Sequence, residues 1–368
     1  MIKRLLYPVI TKYLNWDKVI IIYWARQVGK TTLAKDLFSW KEFLYLNWDE
    51  IDVQERLSTI TKINLDSLIQ NRDNIIIDEA QKIRDIWTIL KIIHDYHPEK
   101  KIIATGSSSF DLANVVNEPL TWRKFEFTLY PLSISELKTT YNYLELASKI
   151  PQLMITWLYP EVVTTGSMKV LHELTNSYLY KDILSFWKIK KSDAIIKLLK
   201  SLALQIWDEV SYHELWQQCW LHPDTVEQYI EILEKSFIIF RLSPYYSNER
   251  KSIKKLKKIY FWDLWIRNSL INNLNPVDLR NDIWWLRENF VIVEFLKKMW
   301  YDENINDYYF WRDWKSEIDF LISKNWELHW YEIKYSKDKG KNLQYINEKI
   351  KLNSYQVINK NNFLDFVL

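Results

Sequence analysis

Residues 18–37, KVIIIYWARQVGKTTLAKDL, decide the fold. The apolar run at 18–23 predicts a buried parallel strand, and the residues from Thr31 onward predict a helix, with a short loop between them. Three more apolar runs follow, each separated from the next by a helical stretch: FLYLN from 43, NIIIDEA from 74 and KIIATG from 101. Strands that alternate with helices are typical of an α/β fold whose parallel sheet is covered on both faces.

The length of 368 residues allows two or three domains, each with its own core. After residue 135 the pattern becomes mainly helical, and from residue 259 strands and helices alternate again. The predicted domains are 1–135, a parallel-sheet core; 136–200, a helical segment; 201–247, a winged helix-turn-helix; and 248–368, a C-terminal α/β domain.

The winged helix-turn-helix is predicted from a compact pattern within residues 201–247. Ser211 can cap a helix in which Glu214 has capping-box spacing, and a second helix starts at Asp224 and leads into the strand-like FIIF. Such a module either reads DNA or serves as a lid or a protein-docking surface, and both alternatives stay open. The basic run RKSIKKLKK at 250–258 either contacts phosphates or is a solvated linker.

Composition argues against several classes of protein. Lysine and arginine total 50 against 47 acidic residues, and a net charge of +3 does not by itself indicate a nucleic-acid or membrane partner. The single Cys219 excludes an internal disulfide and a cysteine-cluster zinc site, as suits a reducing cytosol. No apolar run reaches the ~18 residues of a spanning helix, and the first residues lack a signal-peptide core. We therefore expect a soluble, cytoplasmic protein.

The chain contains 20 tryptophans and only 4 glycines, whereas ordinary proteins carry ~7% glycine. Several tryptophans follow asparagine where a turn favours Asn-Gly, as at Trp16, Trp48 and Trp326. One hypothesis is that many of these positions are glycine in the living protein, because the source translates the UGA codon as glycine. The alternative is a protein that is rich in tryptophan and uses it for aromatic anchors.

Residues 24–31, WARQVGKT, match the phosphate-loop pattern G-x-x-x-x-G-K-[ST] except at the first position, which is Trp24. Gly29 lets the backbone wrap the phosphates, Lys30 reaches the β and γ phosphates, and the Thr31 hydroxyl binds Mg²⁺. The expected ligands are therefore ATP and Mg²⁺. The predicted nucleotide-binding residues are Trp24, Ala25, Arg26, Gln27, Val28, Gly29, Lys30, Thr31 and Thr32.

A second motif, IIIDEA, follows about fifty residues later and places acidic groups after a strand. We expect Asp78 to hold Mg²⁺ through water and Glu79 to orient or deprotonate the attacking water. Ser107, after the KIIATG strand, is predicted either to sense the γ phosphate or to cap a helix. Arg123 is predicted either to stabilise charge during hydrolysis, in its own chain or in a neighbouring subunit, or to form a surface ion pair.

The whole pattern resembles bacterial and archaeal AAA-type ATPases whose phosphate loop reads GPRQVGKTTL and which carry a C-terminal domain of unknown function. The resemblance spans nearly the whole chain. The segments that carry it include ARQVGKTTL, IIIDEAQ, TGSSS, YPLSISEL, IYFWDLWIRN and WRDWKSEIDFL. Glycine is usual in that family at the positions occupied here by Trp24, Trp122, Trp157, Trp265 and Trp285, as the recoding hypothesis requires. A genuine Trp24 would crowd the phosphate loop.

The C-terminal part is similar to a restriction-endonuclease-like core, in which acidic groups bind a divalent cation and a lysine helps to activate water. A strand with Asp319 and a strand with Glu332 and Lys334 are predicted to pair, and the last two side chains share a face because strand side chains repeat every two residues. The resemblance implies a nuclease-like set of Asp319, Glu332 and Lys334, with Glu294 assisting. The competing interpretations are an inactive core of this type and plain cross-strand ion pairs.

Three functions follow from these patterns. The leading one is an ATP-driven switch or motor whose remaining domains transmit the nucleotide state to a macromolecular partner, for which DNA is the favoured choice. The second is a nuclease effector in which ATP gates DNA cleavage. The third is an ATP-dependent binding or assembly protein that acts as a homo-oligomer or through protein contacts.

Overall fold

The computed structural model describes residues 2–23, 27–58, 62–69, 72–106, 120, 122–156, 158–167, 192–205, 209–246, 256–303, 306–334 and 343–368. The predicted site residues Trp24, Ala25, Arg26 and Ser107 lie outside these ranges, as does most of the basic run at 250–258. The chain divides into two units, an N-terminal unit of Met1–Leu132 and a C-terminal unit of Ser133–Leu368. The finer division of the second unit stays a prediction.

The N-terminal unit alternates strands and helices. Its elements are α1 (Leu6–Tyr13), β1 (Val19–Tyr23), α2 (Lys30–Leu37), β2 (Phe43–Asn47), α3 (Ile51–Ser58), α4 (Lys62–Ile69), β3 (Asn74–Asp78), a 3₁₀ turn (Ala80–Lys82), α5 (Ile86–Tyr96), β4 (Lys101–Gly106) and β5 (Lys124–Thr128).

These five strands form one parallel sheet in the order β2-β3-β4-β1-β5. In its centre, Ile22 of β1 lies opposite Thr105 of β4 and Phe127 of β5. Apolar side chains from the middle of the strands, such as Ile21 and Ile77, belong to the buried core. The predicted α/β fold with a parallel sheet is therefore confirmed for this unit. Because the strands are parallel, the carboxyl ends of β1, β3 and β4 meet at one edge of the sheet.

The C-terminal unit is mixed. Its elements are α6 (Ile134–Leu137), α7 (Tyr143–Thr156), α8 (Pro160–Thr165), α9 (Ser192–Leu204), β6 (Glu209–Val210), α10 (Tyr212–Cys219), α11 (Pro223–Lys235), β7 (Ile239–Pro244), β8 (Lys257–Phe261), α12 (Leu264–Leu270), a 3₁₀ turn (Val277–Leu279), α13 (Ile283–Tyr301), β9 (Asp307–Arg312), β10 (Glu317–Lys324), β11 (Glu327–Ile333), α14 (Leu343–Lys349), β12 (Ser354–Ile358) and α15 (Phe363–Val367).

Seven strands of this unit form one mixed sheet, in the order β12-β11-β10-β9-β7-β8-β6. The predicted antiparallel pair is present, with Phe320 of β10 opposite Tyr331 of β11. β7 pairs in parallel with β9 through Ser243 and Tyr309. The same sheet therefore continues from the segment predicted as a winged helix into the C-terminal segment.

Among the described residues, three tryptophans have left-handed backbone conformations, with φ of 69° at Trp122, 57° at Trp220 and 68° at Trp326. The Trp326 side chain is 100% exposed in the two-residue turn between β10 and β11. Asn325 beside it has φ of 51°, so both turn residues are left-handed, as in the hairpin turn that favours Asn-Gly. These positions support the recoding hypothesis. Trp265, in contrast, is helical and 1% exposed, so its backbone does not require glycine.

Candidate functional site

The phosphate loop runs from the end of β1 to the start of α2, at the carboxyl edge of the N-terminal sheet. Gly29 has φ of 93° and is the N-cap of α2, a left-handed conformation that glycine adopts most readily. Lys30 is the first residue of that helix and is 6% exposed. The guanidinium of Arg4 donates to the Val28 carbonyl at 2.6 Å and also to the Tyr130 carbonyl, so it ties the loop to the chain that follows β5.

Asp78 ends β3 and faces the start of α2. One of its carboxylate oxygens accepts from the Thr31 hydroxyl at 2.7 Å and from the Tyr45 hydroxyl at 2.8 Å. The other accepts from the Thr105 hydroxyl and from the Glu79 backbone N–H, the latter at 3.1 Å. The carboxylate is therefore held in one orientation by residues from α2, β2 and β4.

These contacts set the ionisation of the carboxylate. Burial raises the pKa of Asp78, but the hydrogen bonds from Thr105, Thr31 and Tyr45 outweigh it, and the pKa lies below its ordinary value. Burial and the bond to Asp78 raise the pKa of Tyr45. Asp78 is therefore an anion at neutral pH, and Tyr45 stays a hydrogen-bond donor to it.

Glu79 follows Asp78 in a left-handed conformation with φ of 54°. Its carboxylate accepts from the Gln81 side-chain amide at 2.7 Å and lies 3.6 Å from the Lys82 ammonium. Lys82 also pairs with Asp49, which follows β2. The short 3₁₀ turn after β3 therefore fixes the direction of the Glu79 carboxylate.

Arg123 lies away from this edge of the sheet. It precedes β5, whose Lys124 is opposite Val19 at the first residue of β1, whereas the phosphate loop follows the last residue, Tyr23. Four steps along a strand span about 13 Å. The Arg123 guanidinium instead pairs with Asp95 at 2.8 Å. The predicted surface ion pair is therefore present, and a role of Arg123 in hydrolysis, in its own chain or in a neighbouring subunit, stays a prediction.

The sequence did not indicate Arg4, Tyr45 or Thr105 as site residues. Ser107, the predicted sensor, lies outside the described residues, whereas Thr105 contacts Asp78 directly. The signal for Thr105 in the sequence is a polar residue close to the carboxyl end of a strand, and its contact with Asp78 depends on β4 lying next to β3 in the sheet.

In the C-terminal unit, the predicted nuclease-like residues meet on β10 and β11. The Glu332 carboxylate pairs with the Lys334 ammonium at 2.8 Å. The Asp319 carboxylate accepts from the Ile333 backbone N–H at 2.8 Å, beside Glu332. The structure therefore brings together Asp319, Glu332 and Lys334, as the resemblance implied.

Glu294, predicted to assist this set, contacts other residues. One carboxylate oxygen pairs with Lys297 at 2.7 Å, and the other accepts from the Ile134 backbone N–H at 2.7 Å, both in a buried setting. These contacts account for Glu294, which forms a structural ion pair against the start of α6. Glu288, six residues earlier on α13, accepts from the Tyr260 hydroxyl at 2.6 Å.

Lys258 joins Glu288 to the strand carboxylates. It is 2% exposed, and its ammonium lies 2.5 Å from Glu317 and 3.5 Å from Glu288. Burial lowers the pKa of Lys258, but Glu288 and Glu317 outweigh that effect and raise it, with a smaller contribution from Asp319. Lys258 ends the basic run predicted to contact phosphates or to act as a solvated linker. Its burial contradicts both interpretations at this position.

Comparison with protein families agrees with the geometry of the N-terminal unit. Residues 17–138 match a family described as an AAA domain. Over these residues the N-terminal unit is similar to AAA domains. Residues 147–294 and 286–365 match two families that are each described as a domain of unknown function. The match to the AAA domain supports ATP binding. The restriction-endonuclease-like core of the C-terminal unit remains a prediction.

Similar proteins extend beyond the AAA domain. An uncharacterised protein of Methanocaldococcus jannaschii is 24% identical over 313 residues, which are 73% of this chain and 66% of that protein. An uncharacterised protein of Mycobacterium tuberculosis is 22% identical over 334 residues, 86% of this chain and 70% of that one. A Walker-type ATPase of Pyrococcus abyssi aligns with a TM-score of 0.50 and 14% identity, over 74% of this chain and 96% of that one, which shows a shared fold.

The residues of the AAA domain fit a magnesium ion. Thr31 and Asp78 supply a hydroxyl and a carboxylate, the hard oxygen ligands that Mg²⁺ prefers, and substrate phosphates usually complete such a site. Among the described residues there is no group of three His, Cys, Asp or Glu side chains that could hold a metal without such help. None of the described helices is long and apolar enough to cross a membrane.

Proposed function

We propose that the AAA domain binds and hydrolyses Mg-ATP. Backbone N–H groups of the phosphate loop would donate to the phosphates, and the Lys30 ammonium would neutralise charge on the β and γ groups. The Thr31 hydroxyl and the Asp78 carboxylate would hold the metal, directly and through water. When bound, Mg²⁺ would polarise the phosphate oxygens and neutralise developing negative charge. Each assignment uses a residue whose chemistry matches its position at the sheet edge.

Hydrolysis needs a water molecule aligned with the γ phosphorus. Glu79 orients that water and accepts its proton, while a bond forms between the water oxygen and the γ phosphorus and the bond to the bridging oxygen of ADP breaks. Gln81 and Lys82 hold the Glu79 carboxylate at the end of β3, so they position the base without touching the substrate. We propose that Ser107 senses the γ phosphate. We propose that Arg123 acts on a neighbouring subunit.

The observation that carries this proposal is the 2.7 Å contact between Thr31 and Asp78, two metal-binding side chains from separate motifs. Asp78→Asn keeps the side-chain shape but removes the charge, so magnesium-dependent ATP turnover should be lost. Asp73→Asn, at the exposed residue just before the opposite end of that strand, is the matched control and should leave turnover unchanged. Equal turnover in both variants would remove the support for the site.

We further propose that the C-terminal unit transmits the nucleotide state to a macromolecular partner, with DNA and protein as the two classes to compare. A chain that assembles into a homo-oligomer, or binds a partner, only in the presence of ATP would support this role. The Glu79→Gln variant, which should bind ATP without hydrolysing it, would prolong that state. Partner binding that is the same with and without ATP would contradict it.

A second candidate function is metal-dependent DNA cleavage by the C-terminal unit. It is favoured by one observation, the grouping of Asp319, Glu332 and Lys334 at one end of β10 and β11. Incubation of DNA with the full chain and Mg²⁺ or Mn²⁺ tests it, with Lys334→Ala as the inactive variant and Lys324→Ala, on the same strand pair, as the control. Absence of cleavage by the wild-type chain would exclude this function.

A further inference from the structure

Arg4, which lies just before α1, contacts the backbone of the phosphate loop. One terminal nitrogen of its guanidinium donates to the Val28 carbonyl at 2.6 Å, and the other donates to the Tyr130 carbonyl. A Cβ atom placed on Gly29 would lie 3.8 Å from the first of these nitrogens, so the guanidinium also lies beside Gly29. Arg4 therefore contacts the two consecutive residues of the loop that precede Lys30.

The segment that accepts the second hydrogen bond is itself attached to the sheet. The N–H of Leu129, next to Tyr130, donates at 3.0 Å to the carbonyl of Tyr23, the last residue of β1. The guanidinium is planar and its donors keep a fixed geometry, so binding two carbonyls at once sets its position more narrowly than one contact would. Arg4 therefore bridges the end of the phosphate loop to a segment that is bonded to the end of β1.

The contact with Val28 sets the direction of the peptide group between Val28 and Gly29. This group is planar and trans, so its C=O and its N–H point in opposite directions. Because the carbonyl points to Arg4, the Gly29 N–H points away from Arg4. In the part of the chain that the structure describes, this N–H donates to no acceptor. It is therefore available to a bound anion.

Glycine at position 29 makes the opposite direction of this peptide group accessible. Turning the group over would reverse the sign of φ at Gly29, which is now 93°, and glycine adopts both signs about equally well. The Val28 carbonyl would then point where the N–H points now, and its partial negative charge would repel a phosphate. The hydrogen bond from Arg4 stabilises the direction that suits an anion.

We infer that Arg4 is a positioning residue that keeps the N–H of the Val28–Gly29 peptide group directed toward the nucleotide phosphates. The inference rests on the proposed binding of Mg-ATP and adds a residue from outside both nucleotide motifs. Backbone N–H groups of such a loop contact the α and β phosphates, which ADP and ATP share, so the affinity for both nucleotides depends on Arg4. Loss of Arg4 should therefore raise KM for ATP and change kcat little.

The hydrogen bond to the peptide group can be measured without nucleotide. The sequence contains one Val-Gly pair, Val28–Gly29, so a chain labelled with ¹³C-carbonyl valine and ¹⁵N glycine gives one correlated NMR signal from this group. The parent chain carries Trp24→Gly, as the recoding hypothesis requires, which creates no second Val-Gly pair. Arg4→Gln should shift the valine carbonyl signal, because the charged donor is lost. Lys3→Gln, which removes the same charge at the exposed neighbouring residue, should not shift it.

The same proteins are then titrated with ADP and assayed for ATP turnover. Arg4→Gln should weaken ADP binding by about tenfold and raise KM for ATP by a similar factor, with kcat within about twofold of the parent chain. Lys3→Gln should match the parent chain. Arg4→Lys should recover only part of the affinity, because an ammonium group cannot bridge two carbonyls in one fixed plane. Thermal unfolding of each variant checks that it is folded.

The outcomes distinguish this inference from the proposed function. Absence of ADP binding by the parent chain would overturn the proposed function and the inference with it. Equal ADP binding by the parent chain and Arg4→Gln would overturn the inference alone. The inference would also fail if Arg4→Lys recovered the full affinity while its valine carbonyl signal stayed at the Arg4→Gln position, because the positive charge would then act on the phosphates directly.

Discussion

Replacing Thr105 by valine removes one hydrogen bond from Asp78 and changes little else. Thr105 is 0% exposed, and its hydroxyl donates to the carboxylate oxygen that Thr31 does not contact. Valine keeps the branched shape that suits a strand. A hydrogen bond to a charged group contributes ~1.5–3 kcal/mol, so the free energy of unfolding of the N-terminal unit should fall by about that amount.

The same change should raise the pKa of Asp78 toward its ordinary value, because one of the donors that lower it is lost. A less firmly oriented carboxylate should also require more Mg²⁺ for half-maximal ATP turnover. Titration of Mg²⁺ in a turnover assay, together with urea unfolding, measures both effects. Thr105→Ser is the control, since it keeps the hydroxyl and loses only a methyl group, worth about 0.8 kcal/mol.

The two variants are expected to give different results. The serine variant should keep the magnesium requirement of the wild type with a small loss of stability, whereas the valine variant should show a higher requirement and the larger loss. A valine variant that matches the wild type in magnesium requirement and is no less stable than the serine variant would refute the reasoning.

Three further predictions follow from other parts of the chain. Trp326→Gly should stabilise the C-terminal unit by roughly 1–2 kcal/mol in thermal unfolding, because glycine adopts the left-handed conformation at this position without strain. Trp314→Gly, at a position that is exposed but not left-handed, is the control and should not stabilise the unit. Equal effects of the two substitutions would contradict the role of backbone strain. Lys258→Met should destabilise the unit by ~3–5 kcal/mol in urea, because Glu288 and Glu317 lose their buried partner. Since the pKa of Lys258 is raised in the folded protein, its contribution is complete below the ordinary lysine value of ~10.4 and is lost only as pH rises through the folded value. The deficit should therefore be the same at about pH 6 and about pH 9, and a deficit that disappears at the higher pH would contradict the assignment. Arg123→Gln should leave the ATP turnover of the monomeric chain unchanged, since the guanidinium pairs with Asp95 at the edge of the sheet opposite the phosphate loop. A large loss of turnover in the monomer would contradict the position of Arg123 at that edge.

The parts of the nucleotide site that lie in short, contiguous sequence motifs could be predicted. The phosphate loop and the IIIDEA strand each carry their chemistry in a few consecutive residues, and a parallel sheet necessarily brings their ends together. Tyr45 and Thr105 were missed because their contact with Asp78 depends on the order of strands in the sheet. That order, β2-β3-β4-β1-β5, is not written in any local pattern.

The C-terminal cluster shows a similar limit. The sequence indicated the strand residues Asp319 and Glu332 together with Glu294 on α13, whereas in the structure Glu288 of that helix contacts Tyr260 and Lys258. Six residues along a helix turn the side chain by about 240°, so the two glutamates lie on different faces. Packing decides which face of the helix meets the strands, and no local pattern in the sequence points to Glu288. The burial of Lys258 was equally hidden, since a basic run is usually solvated.

The central claim is that the N-terminal unit is a working ATPase. The most direct test measures Mg-ATP hydrolysis by the chain made with glycine at position 24 and at the other suspected positions, beside the same chain with Lys30→Ala. Turnover that is abolished by Lys30→Ala, but kept in a Lys41→Ala control, is the result that the structure predicts. Failure of both chains to bind the nucleotide, or equal turnover with and without Lys30, would contradict it.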